Sequence, residues 1–78
     1  MRTQTNLFVF FSSEGDLPSV VTKKVVMLGF TPYKGSIDYI YIWQQKPSLD
    51  EIISLGDRIS EILKGSKVNF NIETTQIE

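Results

Sequence analysis

The chain has 78 residues, enough for one small core and not for two. Its apolar share of 41% is that of a globular chain, and eight basic against nine acidic residues leave a formal charge of −1, a balance that argues against a partner held by neutralising many phosphates. It contains neither Cys nor His, which excludes disulfides, zinc sites of the usual kinds, His general bases and Ser–His or Cys–His nucleophile pairs.

Leu7-Phe8-Val9-Phe10-Phe11 is short, aromatic and β-branched, and the turn formers Ser12-Ser13-Glu14-Gly15-Asp16 follow it. It reads as a central strand, apolar on both faces. Apolar residues at 17, 20, 21, 25 and 28 then draw one helical face. Pro18 suits a first turn and Gly29 a C′ position. The four valines of this stretch are poor helix formers, so a strand is the competing reading.

Phe30 to Lys34 reads as a short strand, placed at an edge because Pro32 has no N–H to donate. Gly35-Ser36 is expected to make a tight turn. Ile37 to Trp43 is the strongest strand pattern, with Ile40 and Ile42 on one face and Ile37, Tyr39, Tyr41 and Trp43 on the other.

Ser48-Leu49-Asp50-Glu51 has the Ser-x-x-Glu spacing of a capping box. Apolar residues at 49, 52, 53, 55, 59, 62 and 63 predict a helix over 49–64, ended by Gly65. Gly56 within it costs about 1 kcal/mol relative to Ala. Lys67 to Glu73 alternates, with Val68, Phe70 and Ile72 inward, as a half-exposed edge strand does. Residues 74–78 read as a frayed polar tail.

The order βαββαβ with right-handed crossovers predicts an α+β ferredoxin-like sandwich spanning 1–78 as a single domain. A four-stranded antiparallel sheet would carry both helices on one face, with the first and third strands central. Leu7, Val9, Phe11, Ile40, Ile42, Val68, Phe70 and Ile72 are assigned to the covered face. Phe8, Phe10, Tyr39, Tyr41 and Trp43 are then an exposed aromatic patch, with Asn69 and Asn71 beside it. A patch of that size calls for a cover. The expected cover is a second copy in a homodimer, or another protein. Single-stranded nucleic acid stacked on Phe8, Tyr39 and Tyr41, in the manner of RNA recognition motifs, is the alternative. Leu7 to Phe11 is the longest apolar run, far short of the roughly 20 residues of a spanning helix. No secretory signal pattern is visible, and a cytoplasmic, membrane-free chain is expected.

Asp16-Leu17-Pro18-Ser19-Val20-Val21, with the exit Leu28-Gly29-Phe30, resembles the first loop and helix of an ACT domain. Tyr39 to Ile42 and the helix from Leu49 to Leu63 fall where that family has its third strand and second helix. The resemblance covers about residues 5–73. Ser19 stands where the family usually has Gly, and Thr31 where it often has Asn. The resemblance implies a non-catalytic regulatory module that binds a free amino acid and pairs with a second subunit. The residues of the loop agree in chemistry. Free N–H groups at a helix N-terminus suit a carboxylate, and Glu14 and Asp16 suit an ammonium. Ser13, Glu14, Gly15, Asp16, Pro18 and Ser19 are the candidate ligand residues; the plainer reading makes Asp16 an N-cap and Glu14 a solvated charge.

No catalytic residue, metal site or cofactor is assigned. The loop lacks the Arg that acylphosphatase-like chains carry and the Cys-x-x-Cys of metal carriers. Asp38 reads as a strand-end carboxylate, Asp57, Arg58 and Glu61 as a salt-bridged surface, and Lys23-Lys24 as an exposed helix flank.

Overall fold

The computed structural model describes residues 2–77. In chain order it has β1 (Arg2–Phe10), α1 (Pro18–Met27), β2 (Thr31–Pro32), β3 (Tyr39–Ile42), α2 (Leu49–Ile62) and β4 (Asn69–Ile77). The fold is α+β. Its four strands form one sheet in the order β2-β3-β1-β4, antiparallel throughout.

Local chemistry accounts for most element ends. α2 opens on the expected capping box: Ser48 Oγ accepts from the Glu51 N–H at 3.2 Å, and Glu51 Oε1 accepts from the Ser48 N–H at 2.8 Å. Pro18 stands in the first turn of α1. Gly29, at φ +106°, takes the left-handed turn that ends α1. The N-cap of α1 is Leu17, which has no side-chain cap bond, and not Asp16. Asp16 lies one residue too early, and its carboxylate is engaged elsewhere.

β1 begins five residues earlier than the apolar pattern suggests, and β4 continues to Ile77. The expected polar tail is therefore a strand over residues 74–77, while Glu78 lies outside the described residues. The two strands pair without interruption from Arg2↔Ile77 to Phe10↔Asn69. Thr3, Thr5, Thr74 and Thr75 are β-branched residues that suit this extension. Thr5 and Thr74 join their hydroxyls at 2.8 Å. The turn after β2 is wider than a two-residue hairpin: the Tyr33 N–H donates to the Asp38 carbonyl at 3.0 Å.

One core gathers Leu7 and Val9 of β1, Val21 and Val25 of α1, Phe30, Tyr39 of β3, and Leu55, Ile59 and Leu63 from the α2 region. Both helices thus cover the same sheet face. Val68, Phe70 and Ile72 pack against that core as expected. Phe11 does not; it lies beyond the end of β1 and is 40% exposed.

The two faces of β3 are exchanged relative to the sequence assignment. Leu7 pairs with Tyr39 and Thr5 with Tyr41, and directly paired residues share a face. Tyr39, Tyr41 and Trp43 therefore point to the helices, and Ile40 and Ile42 to the open side with Phe8 and Phe10. Polar tips explain the choice, since a buried Tyr or Trp needs a hydrogen-bond partner. Tyr39 Oη lies 2.7 Å from Thr22 Oγ1 of α1. Trp43 Nε1 donates to Thr5 Oγ1 at 2.8 Å.

Candidate functional site

The loop after β1 is tied to the chain's own interior. The Asp16 carboxylate accepts from Ser66 Oγ at 2.8 Å and from Lys24 Nζ at 3.1 Å, and Lys24 Nζ also lies 2.6 Å from Ser66 Oγ. The Asp16 N–H donates to the Ser66 carbonyl at 2.9 Å. These bonds from Ser66 and Lys24 hold the Asp16 carboxyl below its usual 3.8 and outweigh the desolvation that opposes them. The ammonium at Asp16 is thus supplied by Lys24, which is half-buried rather than on a free flank. Gly15 is required here, because a Cβ on it would sit 2.6 Å from the Ser66 carbonyl and 2.7 Å from that of Lys67. Ser13, Glu14, Pro18 and Ser19 are exposed. The structure brings Gly15 and Asp16 against residues 66–67 and leaves the other four at the surface.

Phe8, Phe10, Tyr39, Tyr41 and Trp43 do not form one patch. The open face instead carries Phe8, Phe10, Ile40 and Ile42 around a polar row. Gln4 Nε2 donates to Asn6 Oδ1 at 2.7 Å, and Asn6 Nδ2 reaches Glu73 Oε1 at 3.5 Å. Gln4 and Asn6 are 6% and 4% exposed, flanked by their cross-strand neighbours Ile42, Thr75, Ile40 and Glu73. Asp38 closes the end of the β1–β3 ladder, its Oδ2 accepting from the Val9 N–H at 2.8 Å.

The aromatic residues turned inward floor a cleft. Ten residues of α1 rise about 15 Å, whereas nine residues of β1 extend about 30 Å. α1 therefore stops short of the Thr3–Trp43 end of the sheet, and α2 alone stands over it. A cleft of about 320 Å³ opens there, lined by Tyr41, Trp43, Leu55, Asp50, Glu51, Ser54 and Arg58. Phe30, Tyr41 and Trp43 form a row with ring centroids 5.4 and 4.9 Å apart, the second pair edge-to-face. The bond to Thr5 fixes the indole. Asp50, Ser54 and Arg58, at i, i+4 and i+8, stand along one wall. Among the described residues the one ion pair is Lys24–Asp16. Arg58 is therefore not salt-bridged to Asp57 or Glu61, and it and Asp50 bring unpaired charges of opposite sign to the same cleft. The polar stripe 50–54–58 beside the apolar stripe of α2 was the sequence signal for this wall.

The fold and its cleft define a small α+β chain with an open antiparallel sheet. Among the described residues no helix is long and apolar enough to cross a membrane, and no cluster of acidic side chains has the makings of a metal site. No protein family, curated protein or solved structure matches the chain.

Proposed function

We propose that this chain is a non-catalytic, ACT-like regulatory module of ferredoxin-like architecture that binds a small zwitterion of amino-acid type in the Trp43 cleft. The observation that carries the reading is the fixed aromatic floor of Tyr41 and Trp43 beneath a wall holding an unpaired Asp50 and an unpaired Arg58. A flat apolar side chain stacks on the rings. The ammonium is drawn to Asp50, to the remaining oxygen of Glu51 and to the ring faces, and the carboxylate to Arg58. The cleft lies at the small end of the range for ligand sites, which favours a ligand of amino-acid size. The loop at Asp16 is the weaker candidate, because a ligand there must displace Lys24. Stacked nucleic acid loses its support, since Tyr39 and Tyr41 are not on the open face with Phe8.

Trp43 is the only tryptophan of the chain, so its fluorescence reports on the cleft directly. Titration with the common amino acids is expected to shift Trp43 emission saturably with at least one, aromatic ones foremost. Arg58→Gln and Asp50→Asn should each weaken that response about tenfold. No change with any amino acid at millimolar concentration rejects the reading.

A further inference from the structure

β4 leaves one side of the sheet bare. It meets β1 in nine successive pairs with no bulge, and among the described residues no strand lies on its other side. Every second residue of such a strand turns its N–H and C=O outward. From Asn69 to Ile77 there is no Pro, Gly, Lys or Arg, and Glu73 is the only charge. The devices that usually blunt an edge are missing. Phe70 and Ile72 face the core yet remain only half-buried, because nothing stands beside them.

The helix above this edge is unpartnered on the same side. A Cβ on Gly56 would lie 3.5 Å from Ile72 Cδ1, which places that flank of α2 over β4. Leu49, Ile53 and Gly56, at i, i+4 and i+7, share one stripe. Leu49 is 71% and Ile53 52% exposed. The polar wall of the cleft lies on the opposite flank of the helix. A separation of 3.5 Å is ordinary contact, so nothing within the chain demands a glycine at 56.

We propose that β4 pairs antiparallel with β4 of a second copy, continuing the sheet across a twofold axis at Ile72, with the two α2 flanks packed above it. A second copy fits because each surface is its own complement: bare edge against bare edge, and Leu49 and Ile53 against the same apolar flank. A net charge of −1 per chain brings little mutual repulsion. Charge also sets the register. Full overlap puts Glu73 opposite Glu73 of the other copy, which is unfavourable. A shift of one residue sets core-facing against outward-facing side chains. The register centred on Ile72 sets Glu73 opposite Asn71 and Phe70 opposite Thr74, and covers both half-buried apolar residues. This pairing does not depend on a ligand in the cleft.

Sedimentation equilibrium of the full chain from micromolar to near-millimolar concentration is the test. The expected mass is twice the 8.9 kDa of one chain. Ile53→Lys and Asn71→Glu should each raise the dissociation constant at least about tenfold. Asn71→Lys, facing Glu73 of the other copy, should lower it. Circular dichroism melts of these variants should keep the native shape, since both positions are exposed. Trp43 titration of Ile53→Lys reads the cleft independently of the pairing. A monomer at every concentration overturns the proposal, as does a dimer indifferent to Ile53→Lys. Equal weakening by Asn71→Lys and Asn71→Glu overturns the register.

Discussion

β2 consists of Thr31 and Pro32, whereas β4 runs nine residues from Asn69 to Ile77, and these two strands are the edges of the same sheet. Pro32 removes a donor, and the chain leaves β2 at once for a wide turn, so that edge offers almost nothing to a further strand. β4 carries no such device. The two edges are also anchored differently. On the β2 side the anchor is Asp38, whose carbonyl receives the Tyr33 N–H and whose carboxylate receives that of Val9. On the β4 side the anchor is the clamp of Gly15 and Asp16 on Ser66 and Lys67, just before the strand starts. Lys67 holds φ +58° there, in the left-handed region. The contrast teaches that a blunt edge is closed through one residue, Asp38, which ties its own turn and reaches the neighbouring β1 at Val9. A long bare edge depends on how well its entry is held, and so on contacts distant in sequence.

Breaking the β4 anchor should have the largest effect. Gly15→Ala drives a Cβ into two backbone carbonyls that cannot rotate away. Overpacking of this kind costs about 3 kcal/mol. In a chain this small the melting temperature should then fall by more than about 10 °C. A melting curve unchanged by Gly15→Ala shows that the clamp does not hold β4.

Breaking the other anchor should cost less. Asp38→Ala leaves the Val9 N–H without its charged acceptor, a loss of about 2 kcal/mol. Amide exchange should quicken at Val9 more than at residues 69–77, while Tyr33 keeps its acceptor, the Asp38 main-chain carbonyl. Equal acceleration along β4 would mean that the two edges are not separately anchored.

The smallest effect is a pH dependence confined to the β4 side. Ser66 and Lys24 hold the folded Asp16 pKa below 3.8. Its contribution is therefore complete above the unfolded value and lost as pH falls through the lower folded one. Thermal stability should decline below about pH 4, and Asp16→Asn should flatten part of that decline. A native profile identical to that of the variant places the acid sensitivity elsewhere.

Much of this fold is legible in the sequence. The spacing of α2 and its Ser48–Glu51 box are local signals, and local signals are read reliably. Pro32 marks its edge strand for the same reason. The extension of β1 and β4 was hidden because Thr3, Gln4, Thr5, Thr74 and Gln76 are polar, and only their mutual pairing makes strands of them. Of the proposed binding cleft, the two aromatic residues Tyr41 and Trp43 stand out in the sequence, but on the wrong side of the sheet. Asp16 reads as a charged loop residue; Lys24, eight residues on, is within reach of a local pattern, but its other partner, Ser66, lies fifty residues away, where no local pattern points.

The order of elements, the absence of thiol and imidazole chemistry, and the helical stripe of α2 were determined by the sequence alone, because each rests on neighbours along the chain. Which face of β3 turns inward was decided by tertiary structure. Both faces are apolar, so the period-two pattern gave two equivalent answers, and a one-residue change of register exchanges them. Thr22 on α1 and Thr5 on β1 broke the tie by offering partners to Tyr39 and Trp43 on the helix side. The cleft follows from that choice and from a difference in rise, 1.5 Å per residue in a helix against about 3.3 Å in a strand. That difference leaves the far end of β3 beyond the reach of so short a helix as α1.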